Sequence, residues 1–257
     1  MWAGDVLKRA LSARGVELVP RWRIPRAPQT AYLKRLLETL GIDCVLDVGA
    51  NVGQFRDYLR LEVGYQGTIV SFEPHPDCFA ACKAASEADD KWEVFALALG
   101  EVVGKTEFHL MKDSQFSSFL QPDNALAPHY EGSNQIERVV SVDVARLDDL
   151  LPDLLSRLAC QRPFLKLDTQ GFEAEVLRGA AKVQAIIPAL QAEVSNVPIY
   201  RNIRGMEATL ADMREAGWRL GCLFPTNPDQ FPTCVDFDGY FLRAEAPQHL
   251  APGSSGP

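Results

Sequence analysis

A chain of 257 residues that is 47% hydrophobic and 23% charged has the composition of a folded globular protein, which excludes disordered and collagen-like chains. No run approaches the ~20 apolar residues of a membrane helix and the first 14 residues lack the apolar core of a secretory signal, so the cytoplasm is the expected compartment. The formal charge of −8 argues against a nucleic-acid binder, because phosphate contacts need clustered Lys and Arg.

The charge is uneven. Residues 1–35 carry eight basic side chains and two acidic ones, a local +6 that leaves −14 for the rest. Trp2, Val6, Leu7, Ala10 and Leu11 fall on one face of a helix, with Lys8, Arg9 and Arg14 around it, so 1–42 reads as a basic N-terminal helical arm. The acidic body of its own fold, or a second subunit in a homo-oligomer, is the expected partner of this arm. Peripheral contact with a membrane or a lipid-linked acceptor is the alternative.

From residue 43 onward, short β-rich apolar runs alternate with helical patterns, the signature of βαβ units and a parallel sheet. The spacing predicts strands at 44–48, 68–72, 92–97, 163–167 and 189–194. It predicts helices at 54–61, 76–88, 147–158, 172–183 and 205–216. The runs 218–224 and 235–243 are expected to pair antiparallel. Extra β-like runs at 105–111 and 137–144 flank a polar stretch, 112–135, which is either a lid over substrate or a plain insertion. One catalytic domain is expected over 43–245, with 246–257 a disordered tail. The six cysteines form no CxxC pair and read as reduced thiols; no metal is expected.

The chemistry gathers where strands turn into helices. Asp47-Val48-Gly49-Ala50-Asn51-Val52-Gly53 follows a buried strand and leads into a helix, so glycines let the backbone approach a ligand while helix N–H groups face the crevice. A dinucleotide fingerprint begun at Gly49 needs glycine at 51 and 54, where Asn51 and Gln54 stand. Glu73, 26 residues after Asp47 and at the end of the second strand, is placed to accept both hydroxyls of a ribose. Capping of the next helix is its plain alternative.

The segments DVGANVGQF (47–55), SFEPHP (71–76), LKLDTQGFEAEVLRGA (165–180) and ALQAEVS (189–195), with Pro198 and Tyr200, occur in the order found in the FkbM-type methyltransferases, which the chain resembles over roughly 43–243. The resemblance implies a class I methyltransferase fold: Rossmann-like α/β, doubly wound, a seven-stranded mostly parallel sheet with an antiparallel last strand. It implies S-adenosyl-L-methionine as cofactor, held by Asp47, Gly49, Asn51, Gly53, Phe55, Glu73 and Pro74. It also implies O-methylation of a hydroxyl on a sugar, glycolipid, polysaccharide or natural product. Gln170 stands where many members carry Glu, and no role falls to its side chain.

Methyl transfer to an alcohol is an in-line displacement that gains from a base beside the acceptor oxygen. Asp168, at the end of the fourth strand, is read either as that base or as the residue that fixes the following turn. Lys166 lies two residues earlier inside a buried strand and needs a partner, Asp168 or Glu193; steadying an alkoxide is its other reading. Glu193 ends the fifth strand and is expected in the same crevice, sharing a proton with Asp168 or starting a cation site that lacks a certain third ligand. Glu173, in the first turn of the next helix, is favourable there for dipole reasons alone. Tyr200 reads as a border of the acceptor pocket or as a buried structural residue. Two rivals stay open: a nicotinamide-dependent oxidoreductase and a catalytically silent cofactor-binding member.

Overall fold

Apolar runs buried on both faces form parallel strands, because each is followed by a helix that returns the chain across the sheet. In this computed structural model, which describes residues 11, 14, 15, 20–227, 230 and 232–243, a 3-10 turn at Arg21–Arg26 leads into helix α1 (Ala27–Leu40). Strand β1 (Cys44–Val48), helix α2 (Gln54–Tyr58), strand β2 (Thr68–Phe72), helix α3 (Pro76–Ser86) and strand β3 (Trp92–Phe95) follow. Then come β4 (Ala98–Leu99), β5 (Gly104–Met111), β6 (Ile136–Ala145), α4 (Leu147–Leu158) and β7 (Pro163–Leu167). The chain continues through α5 (Glu173–Arg178), β8 (Ala189–Ser195), α6 (Met206–Glu215), β9 (Trp218–Pro225) and β10 (Asp236–Arg243).

The main sheet has seven strands in the order β3-β2-β1-β7-β8-β10-β9. Only β10 runs against its neighbours, inserted between β8 and the edge strand β9. This is the doubly wound α/β sheet with an antiparallel last strand. The order reverses at β1, so the crevice beyond the carboxyl ends of β1 and β7 is where such a sheet binds ligands.

Two departures from the expected elements have identifiable causes. The predicted strand 92–97 breaks after Phe95, where Leu97 N–H donates back to Phe95 O (2.9 Å), and Ala98–Leu99 joins β5 and β6 in a second, three-stranded sheet. The predicted helix 172–183 shortens to α5, because the N–H groups of Lys182 (2.9 Å) and Val183 (3.1 Å) donate to Asp148 Oδ1 and not to the carbonyls four residues back; Gly179, where a Cβ would sit 2.1 Å from the Gly100 carbonyl oxygen, packs its end.

Helix α1 lies within the segment read as an arm, yet its Leu33, Leu36, Leu37 and Leu40 are buried in one core cluster with Val45, Ile69 and Phe164. Arg23, just before it, approaches Glu62 of the domain (3.6 Å). Trp2, Val6, Leu7 and Ala10 of the apolar stripe, and the tail 246–257, lie outside the described residues. Segment 112–135 is a packed cover. Ala127 is buried with Met111, Ile199, Tyr200 and Val235, and Asn134 donates to Asn124 Oδ1 (2.9 Å) and Ile199 O (3.0 Å).

Leu33→Ala is expected to lower unfolding stability by about 3 kcal/mol in urea titration, the cost of a cavity in a closed core. A loss below about 1 kcal/mol would show that α1 is not part of that core.

Candidate functional site

After Val48 the chain turns sharply, with Gly49 (φ 79°), Asn51 (φ 48°) and Gly53 (φ 91°) all left-handed. A Cβ on Gly49 would stand 2.0 Å from the Asp168 carbonyl oxygen, so only glycine lets the ends of β1 and β7 meet. Gly53 lies under the Trp92 ring, which a Cβ would meet at 2.8 Å. It packs the start of α2 and is not part of the cavity wall described below.

Asn51 joins three segments. Its backbone N–H donates to Glu73 Oε2 (2.6 Å), and its Oδ1 accepts from Ser114 Oγ (3.0 Å) and Cys78 Sγ (3.1 Å). Glu73 Oε1 accepts from His75 N–H (2.7 Å). Burial pushes the Glu73 carboxyl up to about 7, against the pull of those two N–H groups. The cap of α3 is His75, whose Nδ1 accepts from Asp77 N–H (3.2 Å), so Glu73 is not spent on capping.

Beneath the turn, Lys166 is enclosed among acceptors. Its Nζ lies 2.9 Å from Asp47 Oδ1, donates to Gly49 O (2.8 Å) and stands 3.5 Å from Asp168 Oδ2, with the Phe55 ring centroid at 5.3 Å. Asp47 and Lys166 are register neighbours on β1 and β7, and Asp47 Oδ2 also accepts from Ser71 Oγ (3.1 Å). Burial opposes the charge on Lys166, but Asp47 and Asp168 outweigh it and raise the pKa above its ordinary value. The principal partner of Lys166 is thus Asp47, with Asp168 second; Glu193 is not among its ion pairs.

The turn after β7 divides its work among four side chains. Glu173 Oε1 accepts from Thr169 N–H (2.8 Å) and Thr169 Oγ1 (2.9 Å), so Glu173 fixes the turn and Asp168 is released from that duty. Gln170, left-handed at φ 54°, donates from Nε2 to both Asp168 Oδ1 (3.0 Å) and Glu193 Oε2 (3.0 Å). Its Oε1 lies 2.9 Å from the hydroxyl of buried Tyr200. Asp168 and Glu193 are therefore joined by an amide and do not share a proton. Burial, with Asp236 and Asp168 nearby, raises the Glu193 carboxyl well above its usual range.

A cavity of about 320 Å³ opens at the carboxyl ends of β1, β2 and β7. Glu73, Pro74, Ala98, Leu99 and Phe119 line one end; Gly49, Asn51, Phe55, Lys166 and Asp168 line the middle. At the far end are Arg26, Gln29, Tyr58, Gln191 and Asp238. Asp238 accepts from Gln29 Nε2 (2.7 Å) and Gln191 Nε2 (2.9 Å), while the buried Oε1 of Gln191 has no partner among the described residues. Asp47 lies fully buried behind this wall, and Glu193 lines a second cavity of about 590 Å³. Gln29, Gln170, Gln191 and Asp238 are absent from the sequence-based candidates. For Gln191 and Asp238 a signal existed, a polar side chain inside a buried strand, the same one that singled out Lys166. Among the described residues no group of three or more His, Cys, Asp or Glu is placed to hold a metal ion, and no helix is long and apolar enough to cross a membrane.

A family profile, the Methyltransferase FkbM domain, matches residues 47–220, about two thirds of the chain. No curated protein sequence matches. Among solved structures, a methyltransferase FkbM from Methylobacillus flagellatus KT is 16% identical over 78% of this chain and 43% of its own, with a TM-score of 0.49. The chain thus spans less than half the length of that relative. The magnesium protoporphyrin IX methyltransferase of Synechocystis PCC 6803, solved with bound SAM, is 9% identical over 95% of this chain and 98% of its own, with a TM-score of 0.47. Aeropyrum pernix fibrillarin, solved in complex with S-adenosyl-L-methionine, is 11% identical over 84% and 74%, with a TM-score of 0.45.

Lys166→Met leaves the Asp47 carboxylate buried without a counter-charge and is expected to cost about 3–5 kcal/mol of stability by denaturant titration. A loss under about 1 kcal/mol would show that Asp47 is satisfied without the ammonium.

Proposed function

The chain belongs to the FkbM methyltransferase family, and on that premise we propose that it transfers a methyl group to a hydroxyl oxygen of a sugar-like, glycolipid, polysaccharide or natural-product acceptor. S-adenosylmethionine is the methyl donor of the family, which sets aside a nicotinamide cofactor. The first cavity suits that donor. Glu73 has lone pairs left for ribose hydroxyls, Ala98, Leu99 and Phe119 offer apolar walls for a base, and the unpartnered Gln191 Oε1 accepts from an ammonium. Asn51, Phe55, Pro74 and the Gly49 backbone complete the holding set, and Asp47 acts from behind through Lys166.

When bound, the sulfonium would supply an electrophilic methyl carbon in the cavity that Asp168 lines. The observation that carries the reading is the state of the Asp168 carboxylate: half-exposed, lining the cavity, released from the turn by Glu173, and steadied by Lys166 and Gln170. Asp168 is placed to take the hydroxyl proton, so that the acceptor would leave as a neutral methyl ether while the donor's sulfur–methyl bond breaks and S-adenosylhomocysteine departs. The Lys166 ammonium stands 3.5 Å from Asp168 Oδ2, and Glu193, whose carboxyl burial keeps neutral more readily, contributes as a hydrogen-bonding group on the other side of Gln170. The cytoplasmic setting, a small-molecule or glycan acceptor, no nucleic-acid partner, a basic segment at 1–35 touching a membrane or lipid-linked acceptor, and self-association belong to the same proposal and rest on the composition of the chain.

Labelled-methyl turnover against an acceptor screen, with the product bond identified by mass spectrometry, tests this reading. The wild type is expected to form methyl ethers, and Asp168→Asn to lower kcat by roughly 100- to 1,000-fold with cofactor affinity held within about threefold. Label on nitrogen or carbon would refute oxygen transfer. Unchanged turnover in Asp168→Asn would remove the base, and cofactor binding without any turnover would favour the silent member.

The raised Glu73 carboxyl sets a pH dependence. The ribose-accepting form is the ionised one, so affinity is present above about pH 7 and is lost as pH falls through that value. Affinity for S-adenosylhomocysteine by calorimetry is expected to rise about tenfold from pH 6 to pH 8, and Glu73→Gln to flatten the profile. A flat wild-type profile would mean that Glu73 does not titrate on binding.

A further inference from the structure

Two cavities meet at the turn after β7. Asp168 and Thr169 line the first, Gly171 and Glu173 line the second, and Gln170 lies between them. The Gln170 carboxamide donates to one carboxylate on each side, Asp168 toward the first cavity and Glu193 toward the second. The first cavity, about 320 Å³, carries the full set of groups that suits the methyl donor, which leaves the acceptor to be housed elsewhere. The second, about 590 Å³, is larger and abuts the same turn.

The walls of the second cavity select among acceptors. Leu120, Leu177, Ile203 and Met213 form an apolar side suited to the C–H face of a ring. Opposite stand carboxylates able to accept from hydroxyls, Glu193 foremost, since it has the neutral Gln170 amide as a partner and no cation in an ion pair. Five acidic residues line the cavity against two arginines. Both arginines are already engaged: Arg178 with Glu101 and Glu175 (2.7 Å each), and Arg204 with Asp212. No unpaired cation is left among the described lining residues to receive a phosphate or carboxylate, so an anion entering the chamber gives up its water without gaining a counter-charge.

We propose that the second cavity is the acceptor chamber, entered by an uncharged or cationic polyhydroxylated ring and closed to anionic acceptors, with Gln170 at its junction with the first cavity, past which the acceptor hydroxyl extends to Asp168 and the donor. The donor's place in the first cavity is taken from the reading above; the chamber itself is tested by binding alone. Leu120 gives the cover segment 112–135 a place in this chamber, while Ser114, Gln115 and Phe119 line the first cavity, so one segment closes both.

The test is calorimetry on the full chain loaded with S-adenosylhomocysteine, using three probes with one skeleton: methyl glucoside, glucosamine and glucose 6-phosphate. The neutral and ammonium probes are expected to bind at millimolar concentration, and the phosphate at least tenfold more weakly. Thr209→Trp, which fills the chamber from α6, is expected to weaken the first two at least tenfold while S-adenosylhomocysteine affinity stays within twofold. That retained affinity shows the variant folded, and Thr209→Phe repeats the measurement with a smaller plug. Equal or tighter binding of the phosphate, no binding of any probe to the loaded wild type, or probe binding indifferent to both Thr209 variants would overturn the chamber. Methyl label on nitrogen would defeat the oxygen-transfer reading and leave this outcome untouched.

Discussion

The ammonium of Lys166 holds the crevice together. Buried under the glycine turn, it meets the Asp47 carboxylate, the Gly49 carbonyl and the Asp168 carboxylate, three acceptors drawn from the ends of two adjacent strands. Burial of a lone ammonium or a lone carboxylate is prohibitive, so each depends on the other. The sheet switches direction at these strands, and the clamp therefore sits where ligands bind in open α/β folds. Gly49 completes the constraint from the backbone side, since its missing Cβ is what admits the Asp168 carbonyl.

With that frame fixed, the carboxylates around it take separate tasks by environment. Asp47 is spent on Lys166, Glu173 on the backbone and hydroxyl of Thr169, and Glu73 on the Asn51 and His75 N–H groups while still facing the cavity. Asp168 is the one left half-exposed beside a cation, and Glu193 is desolvated among other acids. Chemistry that needs an accessible carboxylate in one place and a neutral hydrogen-bonding group in another is served by that difference. Gln170 links the two without adding charge, and through Tyr200 it also reaches the cover segment, where Tyr200 O–H lies 2.8 Å from Phe116 O.

Much of the fold was legible because its signals are local. The runs at 44–48, 68–72, 163–167 and 189–194 are strands buried on both faces, and 147–158 is a helix to the residue, with Leu147, Leu151, Leu154 and Leu155 on its inner side. The end of α5 was not legible, since it depends on Asp148, more than 30 positions earlier in the chain, which takes the Lys182 and Val183 N–H groups. Within the site, Asp168, Lys166 and Glu73 stood out as charges at strand ends. Gln170 did not, because a left-handed turn residue leaves no spacing to read, while Gln191 and Asp238 carry only the signal of a polar side chain inside a buried strand, and the pairing of β8 with β10 that brings them together leaves none. Glu193 was placed on the right neighbouring strand, but the side chain of Gln170 separates it from the crevice it was expected to share.

The division of labour between two cavities is tested most directly by a crystal structure of the chain soaked with S-adenosylhomocysteine. The ligand is expected to lie in the first cavity with its ribose hydroxyls on Glu73 and its sulfur beside Asp168, leaving the chamber behind Gln170 open. Ligand density in the second cavity, or a ribose held away from Glu73, would contradict the arrangement.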